Sequence, residues 1–376
     1  MLRTLSFPLA TLVAALCLTL GACDRQEGES SPTPKAAPAT AATSSPSTAN
    51  TVDATGASTP AANQVAAATA SPVAAAAGGA IAKPGGGKVT VGFSQIGAES
   101  AWRSAETESI KSEAAARGVQ LQFSDAQQKQ ENQIRAVRNF VTQRVDAIIL
   151  APVVETGWEP VLREAKRANI PVVLVDRGVS APPDLYATLI ASDFVAEGRM
   201  AGEWLAKATN GQCNIAELQG TTGAAPANDR AKGFRDAIAS HPGMKIILSQ
   251  TGDFTRAKGK DVMQAFLKSP QGKDIQAVYA HNDDMALGAI QAIEESGKKP
   301  GEDIKVVSID GVKGAFEAMV AGKSNCTVEC NPLLGPAAFD AVAKALAGQS
   351  MEKKTIVKDQ IFEQAAAKDA IASRKY

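Results

Sequence analysis

Six places in this sequence set charged or amide side chains directly behind short apolar runs. In the stretch Ser94 to Arg103, Glu99, Trp102 and Arg103 stand close together; Asp176-Arg177 follows a later run. Arg230 ends the group Asn228-Asp229-Arg230, Phe254 closes Gly252-Asp253-Phe254, and Asn282-Asp283 and Asp310 complete the set. Ionised carboxylates accept hydrogen bonds from hydroxyls, while guanidinium forks and the Asn amide donate to ring and hydroxyl oxygens. Trp102 and Phe254 offer flat faces to the apolar C–H patches of a ring. This mixture suits a polyhydroxyl ligand, and opposed Asp and Arg charges in one cleft keep each other ionised.

Each residue also has a plainer role open to it. Asp310 before Gly311 fits a turn at a strand end, Asn282 or Asp283 fits a helix N-cap, and Asp176-Arg177 fits a surface ion pair. Trp102 fits a core position, and Trp158 and Trp204, inside predicted helices, are assigned to packing. Catalytic signatures are scarce: His241 and His281 are the only histidines, and no GxSxG accompanies His281, which stands at a strand end. Gly85-Gly86-Gly87-Lys88 precedes a strand instead of joining a strand to a helix, so it is no phosphate loop. Nothing here supports an enzyme.

The elements that must position these residues alternate in period. Strands are expected at Lys88–Phe93, Val119–Asp125, Ala147–Ala151, Pro171–Arg177 and Ala187–Asp193, with amphipathic helices between them; Ile134, Val137 and Val141 mark one helix face. The alternation restarts with NIAELQG, MKIILSQ, AVYAHN and IKVVSID. CTVEC (Cys326 to Cys330) and TIVKDQIF (Thr355 to Phe362) then flank a helix. Near-continuous apolar strands between helices predict parallel sheets covered on both faces. Residues 88–376 suit two doubly wound α/β lobes, in which ligands collect beyond the carboxyl ends of the strands.

The 376 residues carry 39 Lys+Arg and 39 Asp+Glu, which gives no electrostatic reason to expect nucleic acid as partner. The N-terminus is a different material. Residues 1–23 read as a secretory signal, too short in its apolar part for a membrane span, and Leu20-Gly21-Ala22-Cys23 resembles a lipobox with Cys23 as the lipidated residue. An ordinary cleaved signal is the alternative. Residues 24–87 read as a tether: from Ser31 to Ala82, Lys35 and Asp53 are the only charges and no aromatic occurs. Of the later cysteines Cys213, Cys326 and Cys330, one pair could form a disulfide, and no spacing suggests a zinc site.

Gly92–Glu106, Gln127–Val141, Ala151–Leu162, Gln250–Lys260 and Tyr279–Ile293 carry a resemblance spread through both halves. Residues from about Val89 to the C-terminus resemble the periplasmic sugar-binding proteins of ABC importers in the ribose-binding cluster, and within it the galactofuranose-binding subgroup. The resemblance implies two lobes, 88–192 plus 331–358 and 193–330 plus 359–376, with crossings near 191–193, 330–332 and 358–361. It implies one monosaccharide held between them by Glu99, Trp102, Arg103, Asp176, Arg177, Arg230, Phe254, Asn282 and Asp310. It further implies no cofactor, a membrane permease as partner, and a monomer in the periplasm, tied to the membrane if Cys23 is lipidated. A sugar receptor for chemotaxis or a sensor kinase is the alternative use. Ribose-binding relatives carry a glutamine just before the Pro at the second crossing; this chain has Glu329-Cys330-Asn331-Pro332, which argues against ribose and leaves open whether Glu329 or Cys330 faces the sugar.

Overall fold

The computed structural model describes residues 78–83 and 86–376; the expected signal, Cys23 and most of the tether lie outside the described residues. Strands form where apolar residues run on without a helical period. β1 (Thr90–Gln95), β2 (Gln120–Asp125), β3 (Ala147–Leu150), β4 (Val172–Val175) and β5 (Thr188–Ser192) join β11 (Lys354–Val357) in a parallel sheet of order β11-β5-β4-β3-β1-β2. β3 and β4 are buried at every position, as sandwiched parallel strands must be. Successive side chains point to opposite faces. Ile148 and Leu150 pack under α2 (Gln130–Thr142) and α3 (Glu159–Arg167), and Ile149 packs with Ile110 of α1 (Ala101–Ala116) and Phe339 of α9 (Gly335–Leu346). In α2 the expected face holds: Val137 is fully buried, with Ile134 and Val141 packed beside it.

The second lobe repeats the plan. β6 (Gln212–Gln219), β7 (Gly243–Thr251), β8 (Ala277–Ala280), β9 (Lys305–Asp310), β10 (Cys326–Glu329) and β12 (Ile361–Glu363) form a sheet of order β12-β10-β9-β8-β6-β7, parallel except for β12. Its helices include α4 (Phe194–Ala208), α5 (Ala225–Ile238), α6 (Arg256–Lys268), α7 (Asp283–Glu295) and α8 (Lys313–Val320). α4 and α5 lie nearly backbone to backbone: a Cβ on Gly198 would stand 2.2 Å from the Arg230 carbonyl, and one on Gly233 would stand 2.0 Å from that of Val195. Cys213, Cys326 and Cys330 are all buried and unbridged. Among the described residues no helix is long and apolar enough to cross a membrane.

Two expectations change. TIVKDQIF is two strands, because the chain leaves the first sheet at Val357 and enters the second at Ile361. The polar run Lys358-Asp359-Gln360 separates them, at the crossing that the family resemblance puts near 358–361. The folded part also begins before residue 88: Ile81 donates its N–H to the Arg117 carbonyl at 3.2 Å, Ala82 bridges Lys88, and Lys83 pairs with Asp146 at 2.9 Å.

The chain passes between sheets three times: between β5 and α4, between β10 and α9, and between β11 and β12. One carboxylate laces these passages. Asp359, on the third, accepts from the Asn331 N–H on the second at 3.2 Å and from the Ser192 hydroxyl at the first. Burial, with Glu197 nearby, pushes its carboxyl up to about 8.

A carboxyl raised on folding favours the fold fully below its unfolded pKa, near 3.9, and loses that contribution as pH rises through its folded value. The Tm of Asp359→Asn, relative to wild type, should therefore climb from about pH 4 to about pH 8 and level off above it; a constant difference would contradict this. Gly198→Ala must push α5 off α4 against backbone, and should cost about 1–3 kcal/mol in a denaturation curve.

Candidate functional site

The carboxyl ends of both sheets face one small cavity of about 20 Å³, room for about one water molecule. All nine residues singled out above line it, joined by Ser100, Pro226 and Cys330. A second hollow of about 500 Å³ lies on the second lobe among Trp204, Met319, Asn325 and Lys368, away from those strand ends.

On the first lobe, Ser100 caps α1 by accepting from the Arg103 N–H at 3.1 Å, which sets Trp102 and Arg103 in the first turn. The Arg103 guanidinium meets three carboxylates: Nε to Glu99 at 3.0 Å, Nη2 to Asp176 at 2.6 Å, and Nη1 to Glu106. Burial alone would weaken its hold on the proton, but Asp176, Glu106 and Glu99 outweigh it and keep Arg103 above the ordinary range. Arg177 donates to the Val153 carbonyl at 2.9 Å and lies 5.2 Å over the Phe254 ring. Burial, helped by the neighbouring charge of Arg103, brings it down to about 10. Asp176 has φ 62°, a left-handed conformation that costs on the order of 1–3 kcal/mol for a side-chain-bearing residue.

On the second lobe, Arg230 of α5 reaches Glu197 with Nε at 2.7 Å, the His281 carbonyl with Nη1 at 2.6 Å, and lies 3.6 Å from Asp310. Here too burial opposes the charge, and Glu197 and Asp310 hold it above the ordinary range. Burial raises the carboxyls of both Glu197 and Asp310. Asn282 caps α7 by accepting from the Met285 N–H at 3.0 Å, and its amide donates to the Phe254 carbonyl at 3.1 Å. It is an N-cap and a cleft residue at once. Phe254 (φ 61°) and Asp310 (φ 134°) share the left-handed strain of Asp176.

The lobes touch around this cavity. Ala101 donates its N–H to Asp284 across the cleft at 2.8 Å, Asn228 donates to Glu155 at 2.7 Å, and the Glu155 N–H reaches the Gly223 carbonyl at 3.0 Å. The Trp102 indole donates to the Cys330 carbonyl at 2.5 Å, pinning the cleft to the second crossing. Trp102 is thereby both buried and cavity-lining.

Other residues fall elsewhere. His281 turns its ring into the second lobe, with Nε2 3.2 Å from Glu217 and Nδ1 accepting from the Gly220 N–H at 3.3 Å; burial lowers its pKa. Glu329 points away to Arg374 at 2.8 Å, so Cys330 is the residue of the second crossing that lines the cavity; burial pushes its thiol well up. Asp283 is spent on Thr327, Ser308 and the Val312 N–H inside the lobe. Trp158 is fully buried and Trp204 is half-buried, as packing residues. Glu106, Glu197, Glu155 and Asp284 escaped the sequence reading, which had left Cys330 open beside Glu329. For Glu106 a signal existed, since it stands three residues after Arg103, one helical turn on. Among the described residues no group of His, Cys, Asp and Glu is arranged to hold a metal ion.

Residues 91–350 match the periplasmic binding protein domain. The galactofuranose-binding protein YtfQ of Escherichia coli is 54% identical over 291 residues, 76% of this chain and 92% of its own length. Among solved structures, the periplasmic binding protein of the arabinose ABC transporter from Shewanella sp. ANA-3, bound to L-arabinofuranose, is 56% identical with a TM-score of 0.75, covering 76% of this chain and 96% of that one. A Mycobacterium smegmatis protein in complex with β-D-fucofuranose is 52% identical with a TM-score of 0.74, covering 77% and 95%. The first is named for binding a sugar, and the second is the binding component of an ABC transporter. Two parallel-sheet lobes, a charged cleft at their strand ends and this degree of identity place the chain in the periplasmic binding protein family.

Proposed function

We propose that this chain captures one monosaccharide in its furanose form, galactofuranose or a close relative, between its lobes and presents it to an ABC permease. The observation that carries the reading is the pairing of charge across a small cavity: Arg103 with Asp176 on one wall, Arg230 with Asp310 on the other. Both walls thus offer donors and acceptors to a ring of hydroxyls, and Trp102 and Phe254 flank them with apolar faces. The furanose ligands held by the Shewanella and Mycobacterium relatives support the ring form. A sugar gripped by both walls binds the closed arrangement better than an open one, and only that difference can drive closure; moving a 1:99 population to 99:1 takes about 5.5 kcal/mol. The chain works as a monomer in the periplasm, held at the membrane by a lipid on Cys23.

A thermal-shift panel of galactose, arabinose, fucose and ribose tests this. Sugars with furanose forms that fit should stabilise the chain by about 2.7 kcal/mol at a hundredfold excess over Kd, and ribose should do less; no response to any sugar by folded protein would sink the reading. Asp176→Asn and Asp310→Asn keep the side-chain shape and remove a charged acceptor. Each should weaken sugar binding by about 10- to 100-fold, the equivalent of one charge-assisted hydrogen bond, and unchanged affinity would place the sugar elsewhere. Cys23→Ser should move the protein from the membrane fraction to the soluble periplasmic fraction.

A further inference from the structure

The two walls of the cleft are built alike. Arg103 and Arg230 each meet, on the cavity side, an aspartate at the end of a strand with positive φ: Asp176 at 2.6 Å and φ 62°, Asp310 at 3.6 Å and φ 134°. On the far side each meets a glutamate that does not line the cavity. Arg103 Nη1 donates to Glu106 Oε2, and Arg230 Nε donates to Glu197 Oε2 at 2.7 Å. The glutamates come from unrelated places, one later in the arginine's own helix α1 and one on α4, which packs against the arginine's helix α5. Both are completely buried; Glu106 Oε1 has no hydrogen-bond partner among the described residues, and Glu197 has beyond Arg230 only the Cys330 thiol.

A fold gains little from such a pair, since replacing buried ions by apolar residues of similar volume is often neutral or stabilising. A half-satisfied buried carboxylate is costlier still. What each glutamate supplies is direction. A guanidinium is planar, and gripping it at one edge from behind fixes where its other N–H groups point. With its orientation set beforehand, an arginine loses little freedom when a ligand arrives.

We infer that Glu106 and Glu197 are positioning residues for the bound sugar, aiming Arg103 and Arg230 into the cleft without touching the ligand themselves. This rests on the sugar-binding reading above. Asp at either position keeps the charge but withdraws it by one methylene; Gln keeps the length and removes the charge.

Isothermal titration of the full chain with the sugar that most stabilises the wild type, beside Tm without sugar, tests it on E106D, E197D, E106Q and E197Q. The aspartate variants should keep the unliganded Tm within about 4 °C and lose about 10-fold or more in affinity, as expected for a site left loose by its supporting shell. Wild-type affinity in E106D and E197D overturns the inference, because charge alone would then suffice. Loss of the unliganded fold in all four also overturns it, making the glutamates supports of the lobes. Should only the Gln variants fail to fold, the Asp variants decide. A wild type that binds no sugar brings down the sugar-binding reading and this inference with it, an outcome the wild-type titration separates from the others.

Discussion

Three arginines buried between two lobes must stay charged, and most of the site follows from that requirement. Arg103, Arg177 and Arg230 are each nearly inaccessible, and an unpaired buried cation is prohibitively expensive. Each therefore needs acids or carbonyls at short range. Glu99, Glu106 and Asp176 serve Arg103; Glu197, Asp310 and the His281 carbonyl serve Arg230. Arg177 has the least support, with Asp176 at 3.4 Å, and its pKa is the one that falls. Acids outnumber the bases around the cleft, and burial lifts Glu106 to about 7.

The backbone bends to satisfy this chemistry. Asp176, Phe254 and Asp310 hold left-handed conformations, strain that a strand end adopts only when its surroundings fix it. Gly198 and Gly233 let α4 and α5 approach until Glu197 can reach Arg230. Asp359 ties the three interlobe passages together behind the cleft, and the Trp102 indole ties the cleft to the second of them. Ligand site and hinge are thus one connected network, which is what a protein needs if occupancy of the cleft is to move the lobes.

Much of this was legible in the sequence because of how a parallel sheet works. Strands buried on both faces read as unbroken apolar runs, and the residues just past them are where ligands gather; that rule singles out Asp176, Arg230, Asn282 and Asp310, and all four line the cavity. Asn282 also shows that a capping role and a cleft position are compatible, so the plainer reading was true and incomplete. What stayed hidden depends on contacts between distant segments. Glu197 sits mid-sequence at the start of an ordinary helix and matters only because α5 packs there. The switch of sheets inside TIVKDQIF is marked only by the polar run Lys358-Asp359-Gln360, short enough to read as part of one exposed strand, since both strands are edge strands with similar exposure. His281 stands in the right place along its strand, yet its side chain alternates to the wrong face.

In the proposed complex one sugar ring bridges the two arginine–aspartate walls. A crystal structure of the protein grown with galactose or arabinose tests it most directly. The account predicts a furanose ring in the cavity, with hydroxyls within hydrogen-bond distance of Arg103 or Asp176 on one side and of Arg230, Asn282 or Asp310 on the other. A sugar that contacts only one lobe, or that sits outside this cleft, would contradict it.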